Sequence, residues 1–278
     1  MISFIAAAAL SASTFTYERI YTNGQVSRYQ YTEQDADSIA RRTATAELTT
    51  VVRNGIPTER VRWIGLQDKA GHDLNEQAQA FPAYDLSLDT RAVPMHRVST
   101  DAVPELEGPV DDLLNFLVDL SAGVGVSQLH APGDTRAMAN PVSGDFSGAT
   151  VPLGRDFILL TTTLKSLDKD RAEFQSSYQP PHGVGLPPYR PWMSEPVCGG
   201  PNNFQIVQKQ GPGFVALWGC ESFVVDTVVE RSDGRMLSAS MVNPLSLKGR
   251  FCQDAALTAC TNIPDVHIER HVELKLIE

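Results

Sequence analysis

No uninterrupted apolar run of about 20 residues occurs in this 278-residue chain, so no helix is expected to span a bilayer. Positive charge is scarce: 23 Lys and Arg stand against 33 Asp and Glu, a net charge of −10. Nucleic-acid surfaces need clustered Lys and Arg to neutralise phosphates, so no nucleic-acid partner is expected. The deficit is local. Between 101 and 150 only Arg136 offsets a set of acids that includes Asp101, Glu105, Asp111, Asp112, Asp119 and Asp134. A solvated acidic face is the plain reading of that stretch. No Asp-x-Asp-x-Asp-Gly loop accompanies it, which leaves no calcium-loop signature. Gly-x-Ser-x-Gly, Gly-x-Gly-x-x-Gly, a P-loop and His-Glu-x-x-His are also missing. The chain therefore announces neither a nucleophile elbow, nor a nucleotide loop, nor a zinc-peptidase helix, and no cofactor is expected.

Cysteine is confined to the last third, at Cys198, Cys220, Cys252 and Cys260. None forms a Cys-x-x-Cys pair, which excludes a zinc ribbon and a thioredoxin-type motif. Three pairings are open, and the local one, Cys198–Cys220 with Cys252–Cys260, is the expected one because it closes two short loops. Residues 2–10 are small and apolar, and Ser11-Ala12-Ser13 resembles a signal cleavage site. Residues 1–13 are thus read as a signal segment and 14–278 as a single β-rich domain. An even cysteine count agrees with export to the periplasm or the extracellular space. A cytoplasmic protein with four reduced cysteines is the alternative.

Period-two alternation dominates. Phe15 to Thr22 and Gln25 to Thr32 flank Asn23-Gly24, and Ser38 to Arg53 and Thr58 to Gln67 flank Asn54-Gly55. Asn-Gly between two such runs predicts a hairpin, because both turn residues must accept positive φ. One convincing helix is expected over 109–121. Pro109 suits its first turn, Asp111 and Asp112 suit the positive end of its dipole, and Val110, Leu113, Leu114, Leu117 and Leu120 form an apolar stripe. Strands resume at Phe157 to Ser166 and Arg171 to Tyr178. Seven prolines then crowd residues 180–201, which excludes a central strand or a helix there and predicts a linker or an ordered strap. A second meander runs from Phe204 to Ile277. The fold expected is mainly β: a strongly curved antiparallel sheet or open barrel with the 109–121 helix packed across it.

Chemistry-bearing residues are sparse. His267 and His271 share one face of an alternating strand but stand about 13 Å apart, too far for one ion, so no metal site is expected. Arg60 and Arg62 share a face as well. On the outer side of the sheet they make cross-strand ion pairs worth little; on the inner side they would form an anion floor, and the outer placement is preferred. Trp63, Trp192 and Trp218, with Tyr178 and Tyr189, are core anchors or the lining of a cavity.

The arrangement resembles, in architecture alone, periplasmic lipoprotein carriers, in which a half-open barrel holds acyl chains under helices; no residue role follows from that. The leading expectation is an exported protein that binds an apolar small molecule or lipid between curved sheet and helix, lined by Leu113, Leu117, Leu120, Leu48 and Trp63. An envelope interaction module is the alternative. An enzyme without a recognisable motif comes third, with His130 and Asp134, or His182 near Tyr178, as its candidates. Nothing in the sequence sets an oligomeric state.

Overall fold

A computed structural model describes residues 17–87, 98–119, 129–141, 157–178 and 188–278. The signal-like segment 1–13 lies outside them. Among the described residues twelve antiparallel strands form one sheet that does not close: β1 (Val26–Asp35), β2 (Arg41–Arg53), β3 (Ile56–Gln67), β4 (Tyr84–Ser87), β5 (Thr135–Pro141), β6 (Phe157–Leu167), β7 (Arg171–Tyr178), β8 (Phe204–Gln210), β9 (Gly213–Glu221), β10 (Phe223–Glu230), β11 (Met236–Cys252) and β12 (Cys260–Leu276). The main path runs β4-β3-β2-β1-β12-β11-β10-β7-β6-β5. Register shifts in β2–β3, β6–β7, β10–β11 and β11–β12 supply the extra local twist that bends a large sheet. Short helix α1 (Asn75–Ala80) and helix α2 (Glu107–Leu114) belong to the same part of the molecule.

Strand β11 is shared between two regions. Its first half pairs with β10 through Val242, and its second half pairs with β9 from Leu245. β9 and β10 thus act as one long partner, broken at Ser222. Asn243 spans the break, its Nδ2 donating to the Ser222 carbonyl at 2.9 Å and to Glu221 Oε1 at 3.0 Å. At Gly219 a Cβ would collide with the Ser246 carbonyl, so the close approach of β9 to β11 requires glycine there.

The sheet's inner face carries the main core. Tyr29, Tyr31, Ala44, Ala46, Leu48, Val61, Trp63, Val272 and Leu274 are buried there with Leu106, Val110, Leu113 and Phe116. The outer face of β1–β3 is polar, with Arg62 and Arg28 both pairing with Glu47 and Arg60 with Asp85. The outer placement expected for Arg60 and Arg62 is therefore the one found. A second, smaller core gathers Met193, Val207, Ala216, Trp218, Cys252 and Leu257 beyond the end of the main sheet.

Asn54-Gly55 turns as expected, with φ 53° and 78°. Asn23-Gly24 does not close a hairpin. Both edges of β1 are taken, by β2 and β12, so residues 17–22 have no edge to pair with. They run instead toward the β10–β11 turn, where Ile20 N–H donates to the Asp233 carbonyl and Tyr17 Oη to that of Gly234. The expected 109–121 helix is present and is described as far as Asp119. It starts at Glu107, led in by a 3₁₀ turn over Pro104–Leu106, and changes to a π-helical turn over Asn115–Asp119. Pro109 fits because the first four N–H groups of a helix lack intrahelical acceptors anyway.

Both disulfides form in the local pairing. Cys252 and Cys260 are register partners that close the β11–β12 loop, and Cys198–Cys220 ties the proline strap to β9. The described part of the strap is ordered. Pro191–Ser194 makes a 3₁₀ turn, Trp192 packs edge-on against Trp218 at 5.0 Å, and Asn202 Nδ2 donates to the carbonyls of Met193 and Glu195. Replacing Cys198 and Cys220 together by Ser is expected to cost about 2–4 kcal/mol of unfolding free energy and to expose the bonds after Tyr189 and Trp192 to chymotrypsin. Unchanged cleavage there would mean that the Trp192–Trp218 packing alone holds the strap.

Candidate functional site

Helix α2 crosses the inner face over β1 and β12, and a buried polar cluster joins helix to sheet. Asp112, 2% exposed, points inward from α2. Its Oδ2 accepts a 2.6 Å bond from Arg270 Nη2 on β12 and a 2.8 Å bond from Tyr31 Oη on β1. Two residues along β1, Glu33 is 5% exposed and takes Arg42 Nη1 at 2.8 Å, Lys69 Nζ at 3.3 Å and Arg270 Nε at 3.4 Å. Lys69 also holds Asp35 at 2.8 Å. Three carboxylates and three cations therefore balance. Gly108 is the point of closest approach, since a Cβ there would sit 3.0 Å from Arg42 Nη1 and 3.3 Å from Glu33 Oε2.

The two buried acids titrate in opposite senses. Burial alone would raise Glu33, but Arg270, Arg42 and Lys69 outweigh it and hold the carboxyl below its ordinary 4.5. For Asp112 burial wins over the help of Arg270 and Tyr31, and the carboxyl lies above its ordinary 3.8. Burial and the neighbouring Asp112 and Glu33 charges push the Tyr31 hydroxyl well up, so it remains a donor. The carboxyl of half-buried Glu221, bonded to Asn243, is raised by desolvation as well.

Of the residues expected to line an apolar site, Leu48, Trp63 and Leu113 come together in one packed layer, each 2% exposed or less. Leu117 is half-buried at its margin. Leu120 lies outside the described residues. Within this layer two polar atoms are left over. Trp63 Nε1 and Tyr84 Oη are buried and have no hydrogen-bond partner of normal geometry among the described residues. Burial raises the Tyr84 hydroxyl, the adjacent Trp63 indole N–H offsets a part of that rise, and Asp111 of α2 adds to it. Tyr84 also meets Phe81 edge-on at 6.3 Å. Sequence reasoning missed this pair: Trp63 reads as a core anchor or cavity wall, and Tyr84 carries no signal of its own in a short strand.

The other sequence candidates are dispersed. Asp134 Oδ2 accepts the backbone N–H groups of His130 and Ala131, at 2.8 and 2.9 Å, so the carboxylate builds a turn. His182 lies outside the described residues, and Tyr178 Oη accepts from Asn203 Nδ2 at 3.0 Å. His267 and His271 are exposed on β12, beside Ser246 and Glu269. Among the described residues no group of three His, Cys, Asp or Glu converges as a metal site, and no helix is long and apolar enough to cross a membrane. No family model matches the chain, and no curated protein matches it in sequence. Function rests on the chemistry of the site itself.

Two consequences of the polar cluster are measurable. Arg270→Met strands Asp112 as a buried, unpaired charge and is expected to cost about 3–5 kcal/mol in urea unfolding, whereas Asp112→Leu with Arg270→Met recovers much of that loss. A carboxylate held low, like Glu33, contributes stability that is complete above its unfolded value and fades as pH falls through the folded one. Glu33→Gln should therefore flatten the loss of stability that the wild type shows below pH 4.5. An unchanged acid limb would contradict the assignment.

Proposed function

We propose that this chain is an exported binding protein that takes an apolar small molecule or a lipid chain where the sheet's inner face meets helix α2. One observation carries the reading: two adjacent buried polar atoms, Trp63 Nε1 and Tyr84 Oη, meet no hydrogen-bond partner of normal geometry among the described residues, in an otherwise apolar layer. Unsatisfied buried polar groups are costly and call for an explanation. A ligand with an apolar body and one carbonyl or ester oxygen supplies the missing acceptor, and its body extends the layer at the half-buried margin marked by Leu117. The two disulfides support an oxidising compartment, which together with the signal-like N-terminus favours the periplasm or the extracellular space.

An envelope interaction module is a second reading, favoured by one feature. β1 pairs with β12 only from Arg270 onward, so among the described residues Cys260–Ile268 pair on the β11 side only. Such an edge can accept another strand, although Pro264 interrupts it.

Native mass spectrometry of the gently purified chain, followed by denaturation, decides between these readings. The binding reading predicts excess mass released as an apolar molecule, or saturable uptake of a monoacylglycerol by stripped protein. Tyr84→Phe, which deletes one donor and leaves the ring, should weaken that uptake severalfold without lowering the melting temperature by more than a few degrees. Ligand-free protein that takes up no monoacylglycerol overturns the reading, and a stable multimer in the same spectrum would favour the module.

A further inference from the structure

The second, smaller core contains a cavity that the sheet–helix reading does not use. It measures about 410 Å³ and is lined by Arg190, Trp192, Arg250, Leu257, Thr258 and Cys260. One face of a four-stranded region builds it. Lys248, Arg250 and Cys252 of β11 stand opposite Trp218, Ala216 and Phe214 of β9, and Arg250 and Cys252 stand opposite Asn262 and Cys260 of β12. The strap covers this face, with Met193 buried and Trp192 half-buried over Trp218. The Cys252–Cys260 disulfide closes the end at the β11–β12 loop.

Two guanidiniums reach this cavity from different segments. Arg250 stacks over Trp192 at 4.5 Å, with Trp218 at 5.9 Å, and Arg190 lies over the Tyr189 ring at 5.0 Å. The Nε of each is buried without an acceptor among the described residues. Neither arginine makes a salt bridge among the described residues. The nearby carboxylates are already committed. Glu195 is paired with Lys248, which with Arg250 keeps its carboxyl low. Asp254 accepts the backbone N–H groups of Thr258 and Ala259 and the Thr258 hydroxyl, and so folds the β11–β12 loop on itself. The cavity is therefore cationic in a chain whose net charge is −10.

We propose that this cavity is an oxyanion-binding site, selective for a carboxylate or phosphate group carried on a compact apolar body. A guanidinium presents its donors in a planar fork that matches both groups. Stacking on Trp192 fixes the plane of Arg250 and leaves its edge to donate. An anion between Arg190 and Arg250 removes their mutual repulsion and supplies acceptors to both. Trp192, Leu257 and the disulfide offer apolar wall to whatever carries the anion. The site stands on different residues from the sheet–helix reading and holds or fails independently of it.

Tryptophan fluorescence tests it, because Trp192 and Trp218 both lie beside Arg250. The full chain, its two disulfides verified by intact mass, is titrated with inorganic phosphate and separately with benzoate, with chloride replaced to hold ionic strength constant. A saturable change is expected with at least one of them, and the affinity should fall roughly tenfold or more in Arg190→Gln and in Arg250→Gln. Arg190→Gln leaves the Arg250–Trp192 stack intact, so it remains informative if Arg250→Gln loosens the strap. Benzoate binding tighter than phosphate identifies the apolar wall as part of the site, and the reverse identifies an anion cradle alone, which overturns the apolar half of the proposal. No saturation with either probe below about 10 mM, or wild-type affinity in Arg190→Gln, overturns it entirely.

Discussion

The contact of Asp112 with Arg270 and Tyr31 decides where helix α2 sits. Most of the helix–sheet interface is apolar, and apolar contact is non-directional; a stripe of Val110, Leu113 and Phe116 can slide on Trp63 and Leu274 at little cost. A buried carboxylate with two donors, 2.6 and 2.8 Å away on two different strands, cannot slide. Buried ion pairs add little net stability but are expensive to break. Here the pair sets position: it fixes the helix over β1 and β12, and the Glu33 cluster below fixes those strands against the Arg42 and Lys69 side chains. The apolar layer with its two unpartnered donors then follows from where the helix lies.

The same strands carry that position into the rest of the molecule. β11 and β12 each run 17 residues, long enough to serve the main core with one half and the strap-covered core with the other. Asn243 and Asn203 satisfy the backbone where β9 gives way to β10, Asn203 accepting the Glu221 N–H at 2.9 Å. A joint made of side-chain amides lets one long ribbon change partners without leaving buried donors or acceptors unmet. The disulfides act at the far end only, where a small core of six buried residues has little apolar area with which to hold a proline-rich segment.

What could be read from sequence was what local rules govern. The Asn54-Gly55 turn, the alternation of Ala44, Ala46 and Leu48, and the local cysteine pairing depend on neighbours a few residues away, or on short loop closure. Asn23-Gly24 carried the same turn signal and failed, because whether a strand pairs locally depends on which edges remain free once β12 returns from the far end of the chain. Asp112 reads in sequence as a solvated, dipole-compensating acid beside Asp111, yet it is buried. Burying an acid requires a cation, and its cation lies 158 residues away. Arg190 and Arg250 likewise meet through the strap, and Trp63 and Tyr84 through β3–β4 pairing. No spacing rule brings such pairs together on the page.

Hydrogen exchange of the α2 backbone amides, in the wild type and in Arg270→Met, tests most directly whether Asp112 pins the helix. The account predicts that protection over 107–114 falls selectively in the variant, while β8 and β9, which belong to the other core, exchange as before. Protection of α2 that is unchanged, or lost equally in β8 and β9, would contradict it.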